Sequence, residues 1–390
     1  YWPADQPWAR AFERIAPAAV AGLLRARYAD SLPSRSVVSR WASGLSSLAI
    51  SKAQRLPFDW QRDSVRWCDQ QLGSYAGDLA SSRGAALLSY SYYGHSAFSR
   101  YTGNQPRILF QLHPHPVRVR TILRHERALH PDCASSLDKE WELALPEEDF
   151  ERLDQEAKMA EHWLVASSFT KQTLVETGIS AERITVIPYG IDLERFAPRR
   201  SMRSRSKALQ LLFVGTIGQR KGIKYLIEAL DLLPKGAVEL TVCGRAVDGL
   251  ELFGKSKAEI RIQPSISTQG LLEAYQSSDV FVLPSVAEGF GQVLLEAMAS
   301  GLPIISTTRT GAPDLIRQGK EGLIIEPGNV SELVGAIEYF LSRPEEAAVM
   351  GQAARRRAEH FTWGLFRSRV SQVVNQIVRE HEPAGARSYV

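Results

Sequence analysis

Residues 286–303 have the sequence VAEGFGQVLLEAMASGLP. They follow a short apolar run, Val280 to Leu283, whose length and composition predict a buried strand. Gly289 and Gly291 then predict a turn with little side-chain bulk, and Gln292 to Ala299 have the composition of a helix that ends before the closing Gly-Leu-Pro. A strand, a glycine loop and a helix in this order are typical of a parallel α/β sheet.

The same stretch carries two carboxylates, Glu288 in the loop and Glu296 inside the helix. Backbone amides at a helix start point at whatever lies over the loop, which favours an anion such as a phosphate. Glu296 lies among apolar residues, where a carboxylate needs a partner. A ligand with a diphosphate and several hydroxyl groups fits this pattern. The alternative is an ordinary strand–loop–helix unit in which Glu296 is a solvated helix residue.

Composition narrows the class of protein. A chain of 390 residues favours two domains, and 44% hydrophobic with 23% charged residues is typical of a soluble globular protein without a membrane span. The net charge of +4 is too small to indicate nucleic-acid binding. Three widely spaced cysteines and no His/Cys cluster predict reduced thiols in a cytoplasmic protein, not a disulfide frame or a metal site.

Short apolar strands alternate with helices from Gly84 onward, which predicts parallel, doubly wound sheets. A basic, serine-bearing break at residues 198–207 interrupts this alternation, so we expect a domain boundary just before it. We therefore predict a first domain over residues 1–197, a second over 198–363, and a C-terminal helix with a tail over 364–390 that packs back on the first domain. Two such domains in tandem imply a cleft between them.

Residues 1–83 do not follow the alternating pattern. An amphipathic helix is predicted over residues 12–28 and a second helix over residues 60–77, with tryptophans spread among basic residues. Such a helix either packs on its own domain and leaves its basic face in solvent, or it binds peripherally to an anionic membrane. In the second case we expect contact with the inner face of the membrane. Because the chain begins at Tyr1, we expect a trimmed or truncated chain.

A second glycine loop, residues 215–222, also follows a predicted strand and precedes a predicted helix. It is not the Walker pattern, because Lys221 is followed by Gly222. Arg220 and Lys221 are candidates to neutralise a diphosphate at the helix start, the alternative being a solvated basic pair. This loop and the Glu288 loop occupy like positions on strands of one predicted sheet.

His113 follows a predicted strand over residues 107–112 and precedes Pro114. Ligands bind at the carboxyl ends of strands in such sheets, so His113 is a candidate contact from the first domain. The alternative is a histidine in a rigid proline turn. The chain has no Gly-x-Ser-x-Gly elbow, so acyl hydrolysis lacks support.

Several motifs together carry a family resemblance: Phe213-Val214-Gly215, Lys221-Gly222, Glu288-Gly289-Phe290-Gly291, Leu295-Glu296-Ala297-Met298-Ala299-Ser300-Gly301 and Gly311-Ala312-Pro313-Asp314. With them, the second domain resembles the nucleotide-sugar domain of glycosyltransferase family 4, the retaining transferases of the GT-B fold. The resemblance covers about residues 207–363 and is looser over 84–196. It implies an α/β chain of the GT-B fold, with two Rossmann-like, doubly wound domains facing a cleft.

The resemblance also implies roles for individual residues. As catalytic residues, Glu288 would contact the hydroxyl groups of the donor sugar, Lys221 the diphosphate, and His113 the sugar from the first domain. Glu296 would contact the ribose. The other donor-binding residues would be Arg220, Gly215, Thr216, Gly289, Phe290, Gly291, Gln292 and, through backbone near the base, Gln263.

The implied protein is a metal-independent, retaining hexosyltransferase that needs no cofactor besides a nucleotide-sugar co-substrate. UDP- and GDP-linked donors are favoured over ADP-linked ones. The acceptor would be a glycan, a lipid-linked molecule or a small molecule, in polysaccharide or glycolipid biosynthesis. Two alternatives stay open: another GT-B enzyme, such as a nucleotide-sugar epimerase or a phosphorylase, and a catalytically silent relative that binds a nucleotide sugar or a partner protein.

Three departures from the family pattern shape these expectations. Thr216 stands where the family usually has Arg, so either Arg220 substitutes or phosphate binding is weaker. Tyr189 stands where an Asn usually precedes Gly-Ile-Asp. No strand with a glycine-rich loop is predicted before Ala85, so the first domain is expected to be atypical: it either lacks its native N-terminus or is rebuilt by helices.

Overall fold

The computed structural model describes residues 58–198, 208–247, 251–254 and 256–381, with backbone only for residues 58–65, 251 and 252. The described residues divide into two compact units, one within Tyr1–Arg83 and Ser96–Thr102, the other within Gly84–His95 and Gly103–Val390. The helix predicted over residues 12–28 lies outside the described residues. So does the basic, tryptophan-bearing segment for which membrane contact is predicted, up to residue 57.

The first unit contains α1 (Phe58–Ser82), which extends beyond both ends of the helix predicted for residues 60–77. Gly77 allows α1 to pack closely, because a Cβ added there would lie 2.3 Å from the carbonyl oxygen of Ala97. Asp78 and Arg100 form an exposed ion pair at 3.1 Å. Between residues 58 and 86, which the structure describes, the chain forms no strand.

The second unit contains a parallel sheet of four strands in the order β1–β2–β3–β4: β1 (Leu87–Tyr90), β2 (Arg107–Gln111), β3 (His162–Val165) and β4 (Ile184–Val186). The central strands are apolar on both faces, as expected of parallel strands covered by helices. The segment between β2 and β3 forms several helices, and one of them begins directly after Pro146. Residues 96–100 of helix α2 (Gly94–Arg100) belong to the first unit. The helices of this part of the second unit are α3 (Pro116–Leu129), α4 (Ala134–Leu137), α5 (Trp141–Ala144), α6 (Glu147–Met159) and α7 (Ser168–Val175).

A second parallel sheet has six strands in the order β10–β9–β8–β5–β6–β7. These are β5 (Leu209–Val214), β6 (Val238–Cys243), β7 (Glu259–Gln263), β8 (Val280–Leu283), β9 (Ile304–Thr307) and β10 (Gly322–Ile325). The chain starts at the centre with β5, runs outward through β6 and β7, and then returns to the other side of β5 with β8. This doubly wound order places a ligand site beyond the carboxyl ends of β5 and β8, where the direction of winding reverses.

The helices that follow the strands of the second sheet are α8 (Ile223–Leu232), α9 (Glu251–Gly254), α10 (Thr268–Ser277), α11 (Gln292–Ala299), α12 (Ala312–Leu315), α13 (Val330–Ser342) and α14 (Pro344–Ala358). Two parallel sheets with helices between their strands confirm the predicted α/β class. Among the residues that the structure describes, no helix has the length and apolar content needed to cross a membrane.

The C-terminal helix α15 (Trp363–His381) packs against the first sheet, although it follows the second sheet in the chain. Its buried residue Ile377 joins Ile108, Phe110 and Leu164 in one apolar cluster. The chain therefore returns from the second sheet to cover strands β2 and β3. The domain boundary predicted just before residue 198 stays a prediction.

We predict that Ile377→Ala lowers the free energy of unfolding by about 2–5 kcal/mol, because it removes a buried side chain from this cluster. Leu365→Ala is the matched control on the same helix, since 43% of Leu365 is exposed. We expect the control to change stability by about 0.5 kcal/mol or less. Chemical denaturation measures both variants, and equal losses would contradict docking of α15 through the Ile377 face.

Candidate functional site

A cavity of about 570 Å³ lies at the carboxyl ends of strands from both sheets. It is lined by segments that follow β2, β5, β6 and β8, which are the positions where open α/β sheets bind ligands. The lining residues are His113, Lys139, Glu140, Trp141, Thr216, Gly218, Arg220, Lys221, Arg245, Ala246, Val247 and Glu288. All three residues predicted to be catalytic are among them.

Lys221 and Glu288 contact each other as an ion pair, with their side chains 22% and 17% exposed. Burial, followed by the nearby Arg220 guanidinium, lowers the pKa of Lys221 to about 7. The Glu288 carboxylate acts in the opposite direction, because it favours the ammonium form of its partner. The pair therefore places one cation and one anion side by side at the cavity wall.

A glycine fixes the loop that carries Lys221. Gly222 has a φ of 73°, and a Cβ added there would lie 2.0 Å from the carbonyl oxygen of Pro284. A side chain at this position would separate the loop after β5 from the loop after β8. Gly222 thus keeps Lys221 within reach of Glu288.

His113 follows β2 and reaches the cavity from the first sheet. Its backbone is held by Gln111, whose side-chain amide donates to the carbonyl oxygen of His113 at 2.9 Å. Although His113 is an exposed residue, loss of solvent around its ring, followed by the charges of Arg220 and Lys221, lowers its pKa to about 4. The imidazole is therefore neutral at pH 7 and acts through hydrogen bonds.

Arg220 also lines the cavity, but its guanidinium already has two carboxylate partners. Its Nη1 atom lies 2.9 Å from Glu140 and 2.8 Å from Glu142, and its Nε atom donates to the carbonyl oxygen of Ala287 at 3.1 Å. Glu140 and Glu142 lie about eighty residues before Arg220 in the chain, so no local sequence pattern indicated them as its partners. The predicted phosphate contact of Arg220 stays a prediction, and these partners reduce the charge available for it.

Glu142 is fully buried where it meets Arg220. Burial raises the pKa of Glu142, and the Arg220 charge opposes that rise. The carbonyl oxygen of Glu142 accepts a hydrogen bond from Arg120 at 2.8 Å, which fixes α5 at this position. A buried carboxylate without its cation would be strongly unfavourable, so Arg220 and Glu142 depend on each other.

The glycine loop after β8 contacts elements of the first sheet. The carbonyl oxygen of Gly289 accepts hydrogen bonds from the hydroxyl groups of Ser167 and Thr170, the latter at 3.1 Å. A Cβ added to Gly289 would lie 3.1 Å from the carbonyl oxygen of Leu112 and 3.4 Å from the Cα of His113. Gly289 therefore lets the loop approach the His113 turn closely.

The next three predicted donor-binding residues form the start of α11. Phe290 is buried, and its ring packs edge-on against Tyr189 with the centroids 5.0 Å apart. Gly291 has a φ of 78° and is the N-cap of the helix, and the side-chain amide of Gln292 donates to the carbonyl oxygen of Gly190 at 2.8 Å. Tyr189, where the family pattern has Asn, thus supplies an aromatic contact to this loop.

The remaining predicted residues are distributed more widely. Gly215 has a φ of 150°, and Thr216 is exposed in the cavity. Glu296 accepts a hydrogen bond from the Tyr275 hydroxyl at 2.8 Å, while burial raises the pKa of Glu296 against the effect of this bond. Gln263 ends β7, and neither Glu296 nor Gln263 is among the described residues that line the cavity.

Three further cavity residues, which were not predicted from the sequence, have side chains suited to binding: Lys139, Trp141 and Arg245. Arg245 follows the end of β6, so the strand-end argument used for His113 would have found it. Lys139 lies between α4 and α5, and Trp141 is the first residue of α5. No local sequence pattern indicates a binding role for either residue.

Tyr92 supports the aromatic side of the cavity, with its ring 5.0 Å from Trp141 and 5.6 Å from His113. The backbone of Tyr92 has a φ of 80°, a left-handed conformation that is unusual for a residue with a side chain. Glu156 holds this turn, because its carboxylate accepts backbone hydrogen bonds from Tyr92 and Gly94 at 2.7 and 2.8 Å.

No group of three or more His, Cys, Asp and Glu side chains is placed to hold a metal ion, as far as the described residues show.

We predict that Glu142→Gln lowers the free energy of unfolding by about 3 kcal/mol, because it removes one anion from the buried Arg220 group. Glu151→Gln is the control, since Glu151 lies exposed on the nearby helix α6. Urea titrations of the two variants measure the difference. A Glu142 variant as stable as the Glu151 control would show that the ion pair does not hold this part of the site.

The second half of the chain is similar in sequence to known glycosyltransferases. Residues 195–357 match the family described as glycosyl transferases group 1. Sulfoquinovosyl transferase SQD2 of Arabidopsis thaliana is 31% identical over 220 residues, which cover 53% of this chain and 42% of that protein. D-inositol 3-phosphate glycosyltransferase of Geodermatophilus obscurus is 31% identical over 216 residues, covering 50% of this chain and 47% of that protein. The chain thus spans about half the length of the curated relatives that it matches.

Solved structures extend the similarity to both sheets. Sucrose-phosphate synthase from Thermosynechococcus elongatus superposes with a TM-score of 0.62 at 20% identity, over 84% of this chain and 82% of that chain. HepE of Anabaena, in a complex with UDP, superposes with a TM-score of 0.55 at 17% identity, over 78% and 83% of the two chains. The chain therefore has the α/β fold with two parallel sheets of GT-B glycosyltransferases, and its second sheet lies within the segment that matches glycosyl transferases group 1.

Proposed function

We propose that this protein transfers a sugar from a nucleotide sugar to a hydroxyl group of an acceptor. The observation that carries the proposal is the joint placement of Lys221, Glu288 and His113 in one cavity at the carboxyl ends of β2, β5 and β8. The match of residues 195–357 to glycosyl transferases group 1 supports it. The solved complex of HepE with UDP-glucose supports a nucleotide sugar as the donor. We propose that UDP- and GDP-linked donors are favoured over ADP-linked ones.

In this proposal, Lys221 and the amides at the start of α11 bind the donor diphosphate. In its ammonium form Lys221 supplies a positive charge, and the helix start at Gly291 and Gln292 supplies amide donors and a partial positive charge. Glu288, in contact with Lys221, is placed to accept hydrogen bonds from the sugar hydroxyl groups. One pair of side chains thus binds both halves of the donor.

His113 would contact the sugar from the side of the first sheet. Since burial and its cationic neighbours keep the imidazole neutral at pH 7, it acts as a hydrogen-bond donor or acceptor and not as a cation. A neutral ring also adds no repulsion to the positive charge of Lys221. Glu296 and Gln263 would bind the ribose and the base, which requires the nucleoside to extend beyond the lining of the cavity.

We further propose transfer with retention of the anomeric configuration. The bond between the anomeric carbon and the diphosphate oxygen breaks, and the acceptor oxygen bonds to that carbon on the same face. The acceptor proton passes to the leaving diphosphate. Preorganised charges and amides stabilise the developing charge of the leaving group, so this step needs no metal ion.

The acceptor belongs to one of three chemical classes: a glycan, a lipid-linked molecule or a small molecule. A D-inositol 3-phosphate glycosyltransferase among the relatives supports a small-molecule acceptor, and a lipopolysaccharide outer core galactosyltransferase among the structural neighbours supports a glycan or lipid-linked acceptor. We place the protein in polysaccharide or glycolipid biosynthesis in the cytoplasm, with peripheral contact to the inner face of the membrane.

A catalytically silent relative that only binds a nucleotide sugar is the second candidate. Thr216 favours it, because this exposed residue in the cavity carries no charge for the diphosphate. Slow hydrolysis of a bound donor would exclude this candidate, and donor binding without turnover across acceptors would establish it.

We predict that a panel of UDP-, GDP- and ADP-sugars contains a donor that raises the melting temperature, since a ligand of the native state stabilises it. With that donor, Lys221→Met should lower the rate of hydrolysis or transfer about 100-fold or more, because it removes a charge that stabilises the leaving group. Glu288→Gln should lower it about tenfold or more, because it weakens the contacts with the sugar.

The controls are Lys320→Met and Glu326→Gln, which change exposed residues outside the cavity lining. All four variants should keep a cooperative melting transition. Full activity of the Lys221 or Glu288 variant would remove that residue from the mechanism, and no stabilisation by any nucleotide sugar would refute the proposed function.

We also predict that proton NMR of the first product formed shows the anomeric configuration of the donor sugar. Activity should persist after treatment with EDTA, because Lys221 and helix-start amides carry the leaving charge. An inverted product would overturn the proposed step. Loss of activity in EDTA that Mg²⁺ or Mn²⁺ restores would overturn metal independence.

A further inference from the structure

Residues 215–217 and 244–247, which follow β5 and β6, are joined by backbone hydrogen bonds beyond the ends of these strands. The amide of Ile217 donates to the carbonyl oxygen of Arg245 at 2.9 Å, and the amide of Val247 donates to Ile217 at 3.1 Å. A parallel bridge pairs Ile217 with Ala246. Arg245 is therefore held in register beside the loop that begins with Thr216.

A glycine makes this close pairing possible. Gly244 has a φ of 146°, and a Cβ added there would lie 1.9 Å from the carbonyl oxygen of Gly215. From the other side of the cavity, the Lys139 ammonium group donates to the carbonyl oxygen of Val247 at 2.8 Å. The backbone around Arg245 is thus fixed from two directions.

The charges of the cavity are distributed unevenly among its lining residues. Arg220 is paired with Glu140 and Glu142, and Lys221 is paired with Glu288. Arg245 is exposed in the same cavity, and the described residues give it no hydrogen bond or ion pair through its side chain. Among the described residues, no carboxylate competes with an anion for this guanidinium.

We propose that Arg245 binds a phosphate group of the nucleoside diphosphate and supplies the charge that Thr216 lacks. This assignment rests on the proposed function, because it places the donor diphosphate beside the loop of residues 215–222. A guanidinium matches the oxygen atoms of a phosphate with two parallel hydrogen bonds, which a lysine cannot reproduce. The cation thus comes from the end of β6, one strand away from the position of Thr216.

Calorimetric titration of UDP, GDP and ADP into the full chain, beside uridine, guanosine and adenosine, tests this role. For the diphosphate that the wild-type protein binds, Arg245→Gln should weaken binding about tenfold or more, since it removes a charge-assisted contact. Binding of the matching nucleoside should stay unchanged, and Arg245→Lys should lie between wild type and Arg245→Gln. Arg261→Gln, an exposed change on β7 outside the cavity lining, should match wild type.

The outcomes separate this assignment from the proposed function. Tight binding of a nucleoside diphosphate by wild type with no loss in Arg245→Gln would overturn the role of Arg245 and leave the proposed function intact. Equal weakening by Arg245→Gln and Arg261→Gln would also overturn it, because a general loss of positive charge would then explain the effect. If wild type binds none of the three diphosphates, both proposals fall.

Discussion

The contacts of Arg220 hold the candidate site together. Its guanidinium meets Glu140 and Glu142 on one side and the carbonyl oxygen of Ala287 on another. Its own carbonyl oxygen accepts a hydrogen bond from Val286 at 2.9 Å. Removing a guanidinium from water is costly, so a buried arginine is tolerated only where carboxylates and carbonyl groups satisfy it. Because Lys221 follows Arg220 and Glu288 follows Ala287, this one residue sets the positions of both functional side chains.

Glycines provide the second constraint, because the loops around the site pack backbone against backbone. Gly222 approaches Pro284, Gly289 approaches Leu112, and a Cβ at Gly311 would lie 2.5 Å from the carbonyl oxygen of Phe290. Any larger residue would push these loops apart and separate Lys221 from Glu288 and His113. The glycines of these loops are therefore required for packing, in addition to being typical of phosphate-binding loops.

Local patterns in the sequence predicted the α/β class and the loops that follow β2, β5 and β8. They could do so because a buried parallel strand, a glycine turn and a helix start each occupy a few consecutive residues. The partners of Arg220 could not be found in this way, since Glu140 and Glu142 reach it only through the packing of short helices after β2. The same holds for Trp141 and Lys139. Arg245 was missed for a different reason: its position at a strand end was visible, but the register that holds it beside Thr216 was not.

The contact between Lys221 and Glu288 has a consequence for how the proposed site would select its ligand. A free nucleoside diphosphate attracts the Lys221 ammonium group away from Glu288. It has no transferred sugar, so it offers Glu288 no sugar hydroxyl groups to replace Lys221. An intact nucleotide sugar gives each member of the pair a new partner, the diphosphate for Lys221 and the sugar for Glu288. A carboxylate left without a partner in a partly buried site is unfavourable, so the pair favours the intact donor over the product. In this arrangement, the ion pair also favours release of the nucleoside diphosphate after transfer.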